Sequence, residues 1–295
     1  MSLKFELIKP SGELIELTAP YRLLEMPGIG MPPVQHRTER GPYQDGESHL
    51  GTVLLPRVVT FRMALTEVSQ LALWERRAVL LQLMAGLADG FGLLATLPDG
   101  AERRLLLRYN GGLDMAINAQ HGTEYQPIAW QGIAHNPLWY DPDGELWGYA
   151  LEAGLGDWAF PLGFPEGFGA AAIDVEETKQ YLGTWRTYPV ITVVGPINNL
   201  VIENTTTNEK LDFTGYNLAA ATTLTINLGY GYKTAKLGDG TDVIDKLTTD
   251  SDIATWHLAA HPEAVDGFNT LIITGAAADP DTQISIQFFN QYIGI

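Results

Sequence analysis

The residues after position 189 constrain the fold most, because no helical period of apolar residues runs through them. They form short segments rich in Val, Ile, Thr and Asn: VITVV, LVIEN, TLTINL, TWHLA, NTLIIT and QISIQFF. Turn sequences such as Gly238-Asp239-Gly240 and Asp279-Pro280-Asp281 separate these segments. Several short strands at this spacing are typical of an antiparallel sandwich of about 100 residues. The sequence therefore predicts an all-β domain over 189–295.

The amino-terminal half also favours strands, and strict alternation is its clearest signal. In PRVVTFRMAL (56–65), Val59, Phe61 and Met63 face one way, as in a half-buried strand. Positions 93–109 (LLATLPDGAERRLLLRY) have a Pro-Asp-Gly turn between two apolar runs and predict a β-hairpin. A chain of 295 residues is long enough for two such domains.

One segment has a helical period. Positions 66–85 carry apolar residues three and four apart, and the residue that follows, Gly86, suits a C-terminal cap. The sequence predicts one helix over 66–85, with an apolar face made of Leu71, Trp74, Ala78 and Leu81.

The segment between the two halves has an unusual composition. Residues 141–188 hold many glycines and prolines together with Trp147, Trp158 and Trp185. This composition is too apolar for a loose linker and predicts a packed connector. The predicted organisation is a first domain over 1–140, a connector over 141–188 and a second domain over 189–295.

Charge and hydropathy limit the partners of the chain. The net charge is −17, with 12 Lys and Arg against 17 Asp and Glu in residues 1–145, and 6 against 18 in residues 146–295. A surface this acidic repels nucleic-acid phosphates and anionic lipid heads, so we expect no specific nucleic-acid binding. The longest apolar stretch, 78–97, is interrupted by Gln82 and Asp89, so we expect no membrane insertion. With no secretory signal visible, we expect a soluble protein made in the cytoplasm.

No catalytic or metal-binding constellation appears in the sequence. There is no cysteine to serve as a nucleophile or thiolate ligand. His257 and His261 are four apart, as two zinc ligands on a helix would be, but Leu258 stands where a zincin needs Glu. We therefore expect no enzymatic activity, no cofactor and no metal.

Aromatic residues of the second domain are a candidate binding surface. An apolar ring face suits the C–H face of a sugar ring. Trp256, with Tyr230 and Tyr232 near it in sequence, is the candidate sugar platform. Packing of these rings in the core or between domains is the alternative.

The order of several motifs along the chain is more informative than any one of them. GPYQDGESHLG and PRVVTFRM come first, then a helix with a WERR segment and the hairpin LATLPDGAERRLLLRYNGG. IAWQGIAHNPLWYDP, VITVVGPINNLVIENTTTNEKLDF and a terminal QYIGI follow. This set resembles the distal tail protein family of long-tailed, siphovirus-type phages, over nearly the whole chain.

The resemblance implies a fold and a role. It implies an N-terminal β-sandwich that carries a helix and a hairpin and packs into a six-membered ring. It implies a C-terminal sandwich similar to galectins and carbohydrate-binding modules. The ring would join the tail tube protein to the tail-tip protein of a phage or prophage virion, as the hub of its baseplate. Six chains would carry a charge of about −102, and an acidic channel would let DNA pass without sticking.

The polar run before the strand at 57–66 is the expected place of subunit contact. GPYQDGESHLG (41–51) shows no alternation that would give it a buried face, and ordering its glycines costs backbone entropy. A neighbouring subunit could supply the missing contacts, and an arm laid on the next copy closes a ring. The candidate interface residues are Tyr43, Gln44, Asp45 and Glu47, with Tyr43 as the apolar anchor.

Two functional classes remain open at this point. One is the structural ring component of a phage or prophage tail. The other is a carbohydrate-binding protein, or the sugar-binding part of a glycosidase, for which cell-surface carbohydrate would be the partner. Oligomeric state separates the two classes.

Overall fold

The computed structural model describes residues 3–85, 89–115, 125–150 and 171–295, and it divides the chain into two compact units. The first unit comprises Met1–Pro142 and Tyr292–Ile295, and the second comprises Asp143–Gln291. The chain therefore passes from the first unit into the second at Asp143 and re-enters the first unit at Tyr292. Within the described ranges, no helix is long and apolar enough to cross a membrane.

The first unit consists of short antiparallel strands and one helix. Its elements are β1 (Lys4–Ile8), β2 (Leu14–Glu16), β3 (Tyr21–Glu25), β4 (Val34–Glu39), β5 (Ser48–Leu54), β6 (Arg57–Thr66), α1 (Gln70–Ala85), β7 (Phe91–Thr96), β8 (Glu102–Gly111), β9 (Tyr125–Ala134) and β10 (Trp139–Tyr140). The strand order is β2-β1-β7-β8-β9-β6-β3. β8 pairs with β7 through its first six residues and with β9 through Arg108, Tyr109 and Gly111, so this strand joins β7 to β9 in the sheet.

The core of the first unit follows the alternation in the sequence. Val59, Phe61 and Met63 on β6 are fully buried, as predicted. Trp130 on the neighbouring β9 stacks on Phe61, with ring centroids 3.9 Å apart, and meets the edge of Phe91 at 5.5 Å. The strand predicted at 57–66 and the hairpin predicted at 93–109 are both present, as β6 and as β7 with β8.

The helix differs from its prediction in its start and in its buried face. Thr66 pairs with Tyr125 as the last residue of β6, and α1 begins only after Ser69, whose hydroxyl accepts a hydrogen bond from the Ala72 amide. The predicted face of Leu71, Trp74, Ala78 and Leu81 is exposed, and the buried residues are Leu73, Leu80, Leu83 and Met84. Both faces carry apolar residues at helical spacing, so spacing alone did not decide between them. The predicted cap at position 86 lies outside the described residues.

The second unit is built from two antiparallel sheets. Its strands are β11 (Glu145–Ala150), β12 (Ala171–Gln180), β13 (Val190–Val194), β14 (Ile197–Asn204), β15 (Glu209–Asp212), β16 (Asn217–Leu218), β17 (Thr223–Asn227), β18 (Thr234–Leu237), β19 (Phe268–Ala278) and β20 (Gln283–Phe288). One sheet has the order β11-β20-β13-β17-β18, and the other has the order β12-β19-β14-β15 with β16 beside β14. A last strand, β21 (Gln291–Tyr292), crosses the boundary between the units and pairs with β10.

A single core joins the two sheets of the second unit. It takes Ile191 and Ile286 from one sheet and Ile202 and Ile273 from the other, all fully buried. Alternate residues of β13 and β20 are buried, as expected for strands of a β-sandwich. The chain is thus mainly β with two β-rich units and one described α-helix, as predicted. A closer likeness of the second unit to galectins stays a prediction.

The segment predicted as a connector differs from that prediction in its described part. β11 pairs with β20 along six residues, and β12 pairs with β19 at nine positions, so both are edge strands of the second sandwich. Trp147 lies on β11 and meets the edge of Phe288 at 4.7 Å between centroids. The glycine- and proline-rich composition of this segment concealed two strands. Residues 151–170, including Trp158, lie outside the described residues.

Candidate functional site

The segment before β6 is a two-stranded ribbon, called here the arm (residues 34–54). Its strands β4 and β5 pair with each other in their own sheet, in antiparallel register from Val34↔Leu54 to Glu39↔Ser48. All six residues of β4 and the first three of β5 are exposed. A lone two-stranded hairpin is marginally stable in water, and its free edges can pair with another chain. The predicted loop at 41–51 is thus partly strand, because Ser48 and the residues after it belong to β5.

The tip of the arm presents Tyr43 to solvent. This side chain is fully exposed, and its backbone is in the left-handed region at φ 68°. Such a conformation costs a non-glycine residue about 1 kcal/mol. Gln44 holds the turn, because its side-chain oxygen accepts from the Gly41 amide and its side-chain nitrogen donates to Ser48 Oγ, both at 2.9 Å. The turn therefore fixes the tyrosine outward.

The four predicted interface residues all lie at this tip, but in two different roles. Gln44 is half-buried and spends its hydrogen bonds on the arm itself. Tyr43, Asp45 and Glu47 are exposed, and neither carboxylate forms an ion pair with a described residue. The part of the tip that is free for another molecule is therefore apolar at its apex and acidic beside it.

Arg57 lies just after the arm, and its side chain binds backbone segments at the base of the arm. Its side chain is 1% exposed, and its guanidinium donates to backbone carbonyls from three separate parts of the chain. Their oxygens lie 2.5–3.2 Å away, on Gly28, Ile29, Gly30, Pro137 and Ile293. Burial lowers the pKa of Arg57 to about 10, which leaves the guanidinium charged at neutral pH. The residues that enter the arm are thus tied to the returning C-terminal segment.

That C-terminal segment has further contacts in the first unit. The Arg103 guanidinium lies 3.5 Å above the centroid of the Tyr292 ring, and the Tyr292 hydroxyl donates to Asp141 Oδ2 at 3.1 Å. Arg103 also pairs with Asp141 at 2.5 Å. Residues 292–295 are therefore an integral part of the unit that carries the arm.

The second unit contains a cluster of polar and aromatic side chains, called here the Lys233 cluster. Its members are Tyr188, Glu209, Tyr230, Lys233, His257 and Glu263. The Lys233 ammonium lies 4.3 Å above the Tyr188 ring centroid and 5.9 Å from that of Tyr230. It is buried and has no hydrogen-bond acceptor among the described residues. Burial lowers the pKa of Lys233, and the nearby Glu209 carboxylate acts in the opposite direction.

His257 belongs to the Lys233 cluster, and both of its ring nitrogens have polar neighbours. Its Nε2 lies 3.1 Å from Glu263 Oε2, and its Nδ1 lies 2.8 Å from the Thr255 carbonyl and 3.1 Å from Glu209 Oε2. Glu209 Oε2 is buried beside this ring nitrogen, so His257 lies between two carboxylates. The cluster therefore holds one buried donor group without a hydrogen-bond acceptor among the described residues, the Lys233 ammonium.

One of the three residues predicted to form a sugar platform is not available to a ligand. Trp256 is fully buried in the core of the second unit, so its ring has no free face. Tyr230 and Tyr232 are 80% and 71% exposed. Sequence reasoning missed Lys233 and Glu209, which lie on separate strands or loops. The signal available was Lys233 in an otherwise aromatic and glycine-rich GYGYK turn.

Metal ligands are not assembled anywhere in the described ranges. No group of three or more His, Asp or Glu side chains there could hold a metal ion. His257 is engaged by two glutamates, and His261 is exposed. The two histidines, four apart in sequence, are thus in different surroundings.

Comparison with known proteins gives matches among solved structures only. The chain matches no protein-family model and no curated protein. It is similar to the Dit protein (gp 19.1) of phage SPP1, described as a paradigm of the hub adsorption apparatus in phages that infect Gram-positive bacteria. The TM-score is 0.62 at 14% identity, and the match covers 99% of each chain.

Two structures of the phage P2 baseplate in its activated conformation, with Ca and with Sr, also match. Each has a TM-score of 0.46 at 8% identity and covers 97% of this chain and 98% of the other. The SPP1 match is the stronger of these, and it extends over both units. The chain therefore shares its fold, from one end to the other, with a phage hub protein.

Proposed function

We propose that this protein is a distal tail protein of a phage or prophage, a structural component of the tail tip. Six copies would form a ring between the tail tube protein and the tail-tip or adsorption proteins. The observation that carries the proposal is the full-length fold shared with the SPP1 hub protein, which includes both units rather than one common module. A free carbohydrate-binding module would need only a sandwich such as the second unit.

Exposed apolar surface in the first unit supports an assembling role. Tyr43 extends from an arm with two free strand edges, and the arm's strands pair with no other described strand. Leu71, Trp74 and Leu81 on α1 are 72%, 48% and 52% exposed. Apolar side chains exposed together on a soluble protein mark contact with other proteins. We infer that the arm tip contacts the next copy in the ring.

The acidic charge supports the same role. At −17 per chain, a ring of six copies would repel the phosphates of DNA passing through it. A structural role also requires no catalysis, and we propose that the protein has no turnover. Release of reducing sugar from a polysaccharide panel, abolished by substitution of a single carboxylate, would contradict this.

Light scattering over a range of protein concentrations tests the ring. We expect the mass to rise from 32.3 kDa toward about six times that value as copies associate. Replacing residues 43–48 with Gly and Ser should weaken the association, and Tyr43→Ser alone should weaken it in part. Circular dichroism should show that both variants stay folded, because the tip contributes nothing to the core.

Tyr232→Ser is the matched control, since Tyr232 is also an exposed tyrosine but belongs to the second unit. It should associate like the parent. Equal association of the parent and the 43–48 variant would overturn the arm contact. A protein that stays monomeric at all concentrations and binds sugar would favour the alternative function, a carbohydrate-binding protein without a role in a tail.

A further inference from the structure

We propose that the exposed apolar face of α1 is the surface on which the arm tip of the next copy docks. This face, called here the α1 stripe, consists of Leu71, Trp74, Ala78 and Leu81. The inference rests on the proposed ring and names the second half of its contact. Three observations carry it: an apolar stripe exposed to solvent, a cation at its edge without a counter-ion, and an arm tip with matching properties.

The α1 stripe is an apolar surface on a fixed element. Its members are three or four residues apart, so they lie along one side of the helix, over about 15 Å of its axis. Leu71, Trp74 and Leu81 are about half exposed or more, although the opposite face of α1, with Leu80 and Leu83, is buried in the core. Apolar side chains exposed together in this way mark a contact with another protein.

Arg77 places a positive charge at one edge of the α1 stripe. Its guanidinium lies 4.2 Å from the centroid of the Trp74 ring and donates to Gln126 Oε1 at 3.1 Å and to the Met115 carbonyl at 3.2 Å. These partners are uncharged, and Arg77 forms no ion pair within the described part of the chain. Glu75, two residues earlier, lies on the opposite side of the helix. The stripe therefore has a cation along one edge only.

The arm tip has the complementary chemistry. Tyr43 is a fully exposed aromatic ring at its apex, and the Asp45 and Glu47 carboxylates near it form no ion pair with a described residue. The tyrosine ring would pack on the exposed Trp74 indole, a contact that aromatic pairs favour. A carboxylate beside that ring would then meet the Arg77 guanidinium, which supplies the missing counter-charge on both sides.

The tip and the stripe that it fits belong to different copies. Tyr43 is fully exposed in the single chain, so its ring rests on no described residue. The base of the arm adjoins Arg57 at one end of β6, and α1 follows Thr66 at the other end, roughly 30 Å away along the strand. Two different surfaces of one chain that fit each other make a head-to-tail contact, the kind that closes a ring. Each copy would thus donate one tip and receive one on its α1 stripe.

Sedimentation of two complementary variants tests the proposal. The stripe variant carries Leu71→Ser and Trp74→Ser, and the tip variant has residues 43–48 replaced by Gly and Ser. Each alone should associate at least about tenfold more weakly than the parent, because each lacks one half of the contact. An equal mixture of the two should form pairs of about twice 32.3 kDa and nothing larger. In such a pair, the intact tip of the stripe variant meets the intact stripe of the tip variant.

Leu146→Ser is the matched control for the stripe variant. Leu146 is 64% exposed and Leu71 is 72% exposed, but Leu146 lies in the second unit. This control should associate like the parent. Thermal unfolding should show that the stripe variant stays folded, because Leu71 and Trp74 are exposed.

Reversal of charge tests the part played by Arg77. Arg77→Glu, or Asp45→Lys together with Glu47→Lys, should weaken association about threefold or more. The three substitutions combined should restore it. A damaged fold cannot produce restoration, so this comparison stays informative if Arg77→Glu alone disturbs α1.

The outcomes separate this inference from the proposed ring. A stripe variant that associates like the parent, a mixture that forms no pairs, or a triple charge reversal that restores nothing would overturn the docking of the tip on α1. A tip variant that associates like the parent would instead overturn the arm contact, and a parent that stays monomeric would overturn the ring itself.

Discussion

Two buried cationic groups, on Arg57 and Lys233, have very different hydrogen-bond partners. Arg57 donates to five backbone carbonyls and ties three parts of the first unit together. Lys233 lies in the second unit with no acceptor among the described residues. Arginine suits the first setting, because its planar fork reaches several oxygens at once and it stays charged. The Lys233 ammonium instead lies against an aromatic face, 4.3 Å from the centroid of the Tyr188 ring.

Removing the Lys233 ammonium should therefore stabilise the protein. We expect Lys233→Met to raise the free energy of unfolding at pH 7 by about 1 kcal/mol, because an unpaired buried polar group is removed. Burial lowers the pKa of Lys233 below its usual value of 10.5, so the folded state loses the proton at a lower pH than the unfolded state. The parent should gain stability as pH rises toward 10.5, and the difference between the two proteins should shrink.

Chemical denaturation at a series of pH values measures this effect. Lys236→Met is the control, since Lys236 is exposed on the adjoining strand β18 and its loss should leave the pH dependence as in the parent. A constant difference between Lys233→Met and the parent across the alkaline range would contradict the role given to burial.

At the level of elements, alternation of apolar and polar residues predicted β6 correctly. Helical spacing, in contrast, predicted that the wrong face of α1 is buried. β6 has buried residues at alternate positions over most of its length, so its sequence pattern predicts a strand with one buried face. α1 is rich in leucine all round, and its environment decides which leucines are buried. β11 and β12 were missed because tryptophans and glycines, rather than β-branched residues, surround them. Contact of the run 41–51 with another subunit stays a prediction, and the pairing of β4 with β5 depends on cross-strand neighbours that no local pattern reveals.

Two adjacent leucines test the observed helix face. Leu80 is fully buried and Leu81 is 52% exposed. We expect Leu80→Ala to lower the free energy of unfolding by about 3 kcal/mol through lost burial and a cavity. Leu81→Ala, an identical chemical change, should alter it by less than about 0.5 kcal/mol. Urea denaturation of both variants decides the matter, and similar losses, or a larger loss at Leu81, would mean that the other face packs inward.

At the scale of the whole molecule, the second unit is an insertion into the first. Residues 143–291 leave and return where Asp141 and Tyr292 share a hydrogen bond, so the two ends of the insertion lie close together. The first unit has its own core, which includes Tyr292 and is packed by Ile295. A compact unit with its own core can fold alone.

A shortened protein tests this organisation. Replacing residues 143–291 by a short Gly/Ser linker should leave a first unit that unfolds in one cooperative transition. The same protein without residues 292–295 should be less stable by about 1–3 kcal/mol, because Arg57 loses the Ile293 carbonyl and a buried donor is left unpaired. Thermal unfolding followed by circular dichroism compares the two. Equal stability of the two proteins would show that the returning segment is dispensable.

The return of the chain to the first unit also sets an order on synthesis. A ribosome releases residues from the amino terminus onward, so it delivers all of the second unit before the segment that completes the first. Until residue 293 emerges, Arg57 lacks one of its carbonyl partners and the base of the arm is incompletely clamped. The sequence of the second sandwich is thus complete before that of the first.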